Sequence, residues 1–495
     1  MDTAGSEELM TAAPSDMGVE VQGIEALLDS LESIQGVEMH SLMILRHGYV
    51  IAAGWWWPYA RDQLQLLYSV SKSFTSTAVG LAADEGLINL DDPVITYFPE
   101  LEDEVDDPRS RSMRIRDLLA MASGHLDDTW PKVLASDVGN PVRGFLRLPP
   151  ESEPGSIFRY NQSATYALAV IVQRVTQQTL TQYLRRGVLD PLGAGRVAWW
   201  QHPHGQDLGF SGLHTTTDTV ARLGQLYLAE GSWRGRQLVS PEWISQASSE
   251  QISTRTDDPA AATGADSQRG YGFQFWKSRF GYRADGAYGQ FCLVLPQYDA
   301  VVAMTSECTQ TQDALDAVWN HLVPAFRSAP LAADPVGTRR LEERLANLAL
   351  APLQARLEPP AGEAGWVDAS FRPVRESCRE QPTITGVRIS PRDRGWLLVI
   401  EEKDWTLEWR VTEGWSHCVS EGVVQPIVAS GGWSQPELLR VSMIFVESPH
   451  RLELHCSLDD GVVSASWVTL PLHPGSLRDL RVERHSPVTW FEPVE

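Results

Sequence analysis

The stretch that most restricts what this chain can fold into runs from Leu64 to Gly86, where Ser69-Val70-Ser71-Lys72 follows a short apolar entry (Leu66, Leu67) and opens a run of small residues. Serine is favoured at a helix N-cap or first turn and glycine at a helix end, so Ser69 and Gly86 mark the bounds of a helix. Val70, Phe74, Ala78 and Leu81 recur at helical spacing, which predicts one buried face. Residues three apart lie on the same side of a helix, so this spacing presents the Lys72 amine beside the Ser69 hydroxyl. The helix dipole favours negative charge at that end. A serine alkoxide can be generated in such a place.

Composition sharpens the reading of Lys72. Of 41 basic residues only four are Lys, leaving 37 Arg, so the chain uses Arg where a positive charge alone suffices. A guanidinium cannot be deprotonated, whereas a buried ammonium can be brought toward neutrality. Lys72 is therefore a candidate general base, set against the plainer reading of a capped core helix with a snorkelling lysine.

Along the chain, residues 1–18 read as a flexible N-terminus, and Val19 to Ile34 as an amphipathic helix burying Ile24, Leu27, Leu28 and Leu31. A hairpin follows, Ser41 to Arg46 and Tyr49 to Trp57 around a His47-Gly48 turn. Its three tryptophans, Trp55 to Trp57, cannot all face a core, so a cleft or interface position for at least one is set against the commoner reading of bulky packing. Met113 to Gly124 predicts a short helix, and Ala164 to Val175 a longer one that begins just after Tyr160. Thr215 to Glu230 and a segment opened by Ser240-Pro241-Glu242 read as further helices. Gly270 to Trp276, Ala287 to Pro296 and Ala300 to Thr305 read as strands of an antiparallel sheet closed by a helix over Gln312 to Phe326. The fold class is α/β in the α+β sense, an antiparallel sheet flanked by helices over residues 19–328. Residues 329–360 form a linker and helix, and residues 361–495 a small mainly-β domain. That last region carries eight of the 18 tryptophans and short alternating strands, the pattern of a small barrel or sandwich.

At 495 residues the chain is too long for one core. A net charge of -23 argues against nucleic acid and anionic membranes as partners. The first 36 residues hold eight acidic and no basic side chains, so no signal peptide is expected, and no apolar run approaches the roughly 20 residues of a membrane span. Five scattered Cys suit reduced thiols in a cytoplasmic protein. His417-Cys418 and His455-Cys456 invite a zinc reading, but adjacent residues on a strand point to opposite faces, so no metal is expected.

Five motifs in this order resemble the serine β-lactamase and penicillin-binding-protein superfamily, in the branch similar to class C β-lactamases, family VIII esterases and 6-aminohexanoate-dimer hydrolases. They are YSVSKSFTS at 68–76, DLLAMASG at 117–124, PGSIFRYNQ at 154–162, GFSGLHTTTDTVARLGQLYL at 209–228 and ADGAYGQ at 284–290. The resemblance covers about residues 20–326 and implies a β-lactamase/transpeptidase-like domain that uses no cofactor. It implies that Ser69 is the acylated nucleophile, Lys72 and Tyr160 its proton-transfer partners, and the backbone N–H groups of Ser69 and Ala287 an oxyanion hole. Gln162 stands where the family's Tyr-x-Asn element has Asn. Ala284-Asp285-Gly286 aligns with the family's third element but lacks its cation. Gln162, Asp285 and Gly286 are then the substrate-binding positions.

The function expected is a serine hydrolase acting on a small-molecule ester or amide; the competing class is a catalytically silent scaffold or binding protein that keeps the fold. Asp285 is expected to repel a substrate carboxylate, which disfavours penicillins and D-Ala peptides and favours neutral esters or amides with a free amine. Arg283 is the neighbour able either to neutralise it or to replace the missing cation.

Overall fold

The computed structural model describes residues 8–256, 264–360, 364–374, 376–393, 395–473 and 475–482. The chain forms two compact units. Of the described residues, the first comprises those from Glu8 to Trp55 together with Leu66–Asn347, and the second Trp56–Gln65 together with those from Leu348 to Val482.

The first unit is organised on a six-stranded sheet of β1 (Val37–Arg46), β2 (Tyr49–Trp55), β3 (Trp276–Ser278), β4 (Gly281–Gly286), β5 (Gln290–Leu295) and β6 (Ala300–Cys308), in the order β2-β1-β6-β5-β4-β3. Every neighbouring pair is antiparallel. β6 is buried at every position and β1 from Met39 to Arg46, so both faces of the sheet centre are covered. The principal helices are α1 (Val21–Ser33), α2 (Ser71–Asp84), α3 (Gln162–Thr176), α4 (Thr217–Leu228), α5 (Thr311–Ala317) and α6 (Pro335–Ala346). α4 lies on the face that carries Val301 and Cys292, where Gly224 lets the helix approach: a Cβ there would stand 2.6 Å from Val301 and 2.7 Å from the Cys292 Sγ. α1 buries Ile24, Leu27, Leu28 and Leu31 as its periodicity predicts.

Two expectations for this unit are corrected. Of Gly270–Trp276 only Trp276, which opens β3, is in a strand, although Tyr271, Phe273 and Phe275 alternate. Gln274 has φ +64°, and only isolated bridges join Tyr271 to Ile252 and Trp276. The segment is held instead by side chains, with Ser73 and Ser76 donating to the carbonyls of Gln274 and Phe273 and Thr165 donating to the Gln274 Oε1. The helix expected over Met113–Gly124 is only Ile115–Leu119, preceded by a separate turn of helix at Pro108–Ser112. The helix read as part of a linker, α6, packs on α1 and β2, and Arg340 and Arg344 pair with Glu25 and Asp29 at 2.6 and 2.7 Å.

The second unit is a closed nine-stranded barrel: β7 (Ala369–Pro373), β8 (Ile384–Pro391), β9 (Trp396–Glu402), β10 (Trp405–Arg410), β11 (Ser416–Ser420), β12 (Val423–Gln435), β13 (Leu438–Phe445), β14 (His450–Ser457) and β15 (Val462–Trp467). The strands run antiparallel in sequence order, and β7 closes the ring by pairing parallel with β15. Closure leaves no free edge, and the interior is filled by side chains, with Trp366, Trp396 and Trp433 in edge-to-face contact. Cys418 and Cys456 point into that core while His417 is exposed and His455 half-buried, the alternation of faces expected of these strands. Of the three tryptophans, Trp56 is buried and Trp57 is 52% exposed. Among the described residues no helix is long and apolar enough to cross a membrane, and no cluster of His, Cys, Asp or Glu could hold a metal ion.

Candidate active site

Ser69 does not cap α2. It lies in a single turn of 3-10 helix, Tyr68–Val70, and the α-helix starts at Ser71 without a side-chain cap. The reason is the preceding residue: Tyr68 is held at φ +47°, a left-handed conformation unusual for a non-glycine residue, so the chain turns sharply before the helix begins. Freed from capping, the Ser69 hydroxyl accepts a hydrogen bond from the Lys72 Nζ at 3.1 Å. α2 is also buried on all sides from Ser71 to Ala82, not on one face. Its small polar residues permit this because their hydroxyls find hydrogen-bond partners; Thr75 donates to the Gly209 carbonyl at 2.8 Å, and Ser71 accepts from the Leu213 N–H at 3.1 Å.

Lys72 is buried and has two further acceptors, the Gln162 Oε1 at 2.7 Å and the Phe210 carbonyl at 2.8 Å. Its ammonium lies 4.7 Å from the centre of the Tyr160 ring and 5.7 Å from that of Phe210. Burial lowers the amine's pKa to about 7, against the opposing pull of the Asp128 carboxylate. Tyr160 precedes α3, and its ring stacks on Trp276 at 5.8 Å. Burial raises its pKa well above the ordinary phenol value, with a Ser69 hydrogen bond acting in the opposite direction. The phenol is thus neutral at physiological pH, and the titrating group beside Ser69 is the amine.

The other wall is the end of β4. Gly286 packs so closely on the serine turn that a Cβ there would stand 2.3 Å from the Leu67 carbonyl oxygen and 3.3 Å from the Val70 nitrogen. The turn after it, Ala287–Gly289, is fixed by the buried Gln290, whose Nε2 donates to the Ala287 and Tyr288 carbonyls at 3.2 and 3.0 Å. The backbone at Gly286 therefore stands against the backbone of the serine turn. Asp285 is not a free charge: the Arg283 Nε donates to its Oδ2 at 2.7 Å, and Arg283 is anchored by the Lys277 carbonyl and the Ser278 Oγ, each at 2.9 Å. The expected repulsion of carboxylates is reduced accordingly. Burial raises the Asp285 pKa, while Arg283 lowers it.

Ser69, Lys72, Tyr160 and Gln162 are thus brought together, with Gly286 at the facing strand end and Ala287 in the turn that follows it. Gln162, expected to meet substrate, spends its side-chain oxygen on Lys72. The sequence reading missed Asp128, Phe210 and Gln290. Gln290 ends the ADGAYGQ motif and Phe210 lies inside GFSGL, so both had a positional signal; Asp128 had none beyond its place after the DLLAMASG motif.

The Beta-lactamase family model matches residues 24–324, more than half of the chain and the whole of the region that builds this site. The chain belongs to the β-lactamase family. Among curated relatives, the 6-aminohexanoate-dimer hydrolase of Paenarthrobacter ureafaciens is 28% identical over 329 residues, covering 62% of this chain and 82% of that protein. The lovastatin esterase of Penicillium rubens is 27% identical over 158 residues, 28% of this chain and 39% of its own length. A solved Bacillus anthracis structure, provisionally described as a 6-aminohexanoate-dimer hydrolase, superposes with a TM-score of 0.51 over 63% of this chain and 86% of that one at 19% identity, which establishes shared fold. This β-lactamase-family chain thus has hydrolases among its relatives, and its fold is that of the mixed domain plus a β-barrel.

Proposed function

We propose that this protein is a serine hydrolase that cleaves an ester or amide bond through an acyl-enzyme on Ser69. The observation that carries the reading is the Lys72 Nζ, 3.1 Å from the Ser69 Oγ and with its pKa lowered to about 7, so that a large fraction is an unprotonated base at neutral pH. In the first step the Ser69 oxygen attacks the carbonyl carbon while its proton passes to Lys72. The carbonyl oxygen becomes an oxyanion facing the N–H groups of Ser69 and Ala287. Collapse breaks the bond to the leaving group, which takes a proton from the neutral Tyr160 phenol as Lys72 returns its proton to Tyr160. Water then attacks the acyl-enzyme by the reverse proton route, releasing the acid and restoring the Ser69 hydroxyl. No step calls for a metal or organic cofactor. Five buried Cys, all unbridged, suit a reducing cytoplasm.

The relatives support the class: one is named an esterase and another a dimer hydrolase. A silent scaffold has no use for a buried lysine held at three acceptors beside a serine. The test is intact-mass measurement after treatment with a fluorophosphonate. One adduct, mapped to the Ser69 peptide and absent in Ser69→Ala, is expected; an adduct that survives that substitution refutes the assignment.

A further inference from the structure

Asp128 belongs to none of the motifs that singled out the site, and the reaction described for Ser69, Lys72 and Tyr160 needs no carboxylate. It is nonetheless a largely buried carboxylate close enough to Lys72 to oppose the effect of burial on that amine. Its Oδ1 accepts from the Gln162 N–H at 2.9 Å and from the Trp130 N–H at 3.2 Å. Gln162 is the first residue of α3, a 15-residue helix whose N-terminus favours an anion. The adjacent Thr129 holds the cap of the same helix, its Oγ1 donating to the Asn161 Oδ1 at 2.9 Å. The loop therefore clamps the start of α3, and that start presents the Gln162 Oε1 to Lys72. Contacts run unbroken from Asp128 through Gln162 and Lys72 to Ser69.

We propose that Asp128 is a positioning residue for the Lys72 base: it fixes Gln162, which holds the amine beside Ser69, and it supplies the carboxylate at the end of that chain of contacts. The inference rests on the serine-hydrolase reading for its catalytic meaning. Among the described residues, the groups in contact with the Lys72 amine are uncharged: the Ser69 hydroxyl, the Gln162 amide, the Phe210 carbonyl, and the rings of Tyr160 and Phe210. Asp285, the other carboxylate of the region, is paired with Arg283. An anion favours the ammonium form, so removing the Asp128 charge lets Lys72 lose its proton at lower pH.

Four lysines make the test direct. In full-length protein carrying ¹³Cε-labelled lysine, the Lys72 resonance is assigned by its loss in Lys72→Arg and titrated in wild type, Asp128→Asn and Asp128→Ser. Both variants remove the charge and keep an oxygen acceptor, and either one that folds serves. The Lys72 midpoint is expected to fall by about one pH unit in the variants and to stay near the wild-type value in Asp128→Glu. The acid limb of the pH–acylation profile should move by the same amount and in the same direction. A midpoint unchanged in Asp128→Asn overturns the proposal, because a purely structural carboxylate replaced by its isosteric amide leaves the titration where it was. The titration is read without turnover, so a protein that takes up no fluorophosphonate refutes the hydrolase reading while the effect of Asp128 on Lys72 is still measured.

Discussion

At Lys72 two effects oppose each other, since burial disfavours the ammonium while Asp128 favours it, and burial prevails, leaving the pKa at about 7. A base must be neutral to accept the Ser69 proton, so activity is lost as pH falls through 7 and is retained above it. Lys72→Arg should lower turnover by about 10²-fold or more, close to Lys72→Ala, because a guanidinium stays protonated; retained activity in the Arg variant would mean a purely electrostatic role. Tyr160→Phe should reduce turnover by about 10²-fold with a smaller change in KM, since a neutral phenol relays protons chiefly in the transition state. Arg283 and Asp285 form a pair whose charges cancel at the wall of β4. Asp285→Asn leaves the guanidinium uncompensated, so the rate on nitrocefin relative to a neutral p-nitrophenyl ester should rise several-fold, which paired assays would read. The sequence names Arg283 as a neighbour able to neutralise Asp285, but that the two side chains share a face follows only from the strand Gly281–Gly286, which lies outside the strands expected from sequence. Asp128 was not legible: its effect depends on where a loop docks on a helix far along the chain.

Among the elements, the relation of Ser69 to Lys72 could be read from sequence because three-residue spacing on a helix is local geometry. What the spacing does not contain is the turn before it, where Tyr68 at φ +47° detaches Ser69 from the helix proper. The segment Gly270–Trp276 misled for the converse reason: its alternating aromatics bury themselves around a turn fastened by hydroxyls of α2, a tertiary arrangement with the period of a strand. In the barrel, Pro426, Ser430, Gly431 and Gly432 interrupt the alternation of β12, yet the two glycines are what close contact requires: a Cβ on Gly431 would stand 2.2 Å from the Arg440 carbonyl oxygen. The same reasoning gives a prediction for β4. Gly286→Ala forces a methyl against the Leu67 carbonyl, and the strand end must retreat from the serine turn. Acylation should fall by at least tenfold for a stability loss of only about 1–3 kcal/mol, measured by probe labelling and denaturant unfolding; full labelling would show that β4 does not form the oxyanion site.

For the whole molecule, α6 packs on α1 and β2, and the first compact unit reaches Asn347. A chain ending after Asn347 should therefore be more thermostable than one ending after Ala329, which loses the Arg340–Glu25 and Arg344–Asp29 pairs together with the buried Leu341 and Leu345. If the longer chain folds and still reacts with the fluorophosphonate, the barrel is dispensable for the chemistry; if it folds and is inert, the barrel contributes to the site. The account as a whole rests on Lys72 acting as a base toward Ser69. The most direct test is the rate of fluorophosphonate adduct formation at Ser69 in the full-length protein between pH 5 and 9. It should rise with pH through a single midpoint near 7 in the wild type and be nearly abolished in Lys72→Arg. A rate independent of pH over that range, or an adduct that maps elsewhere, would contradict the account.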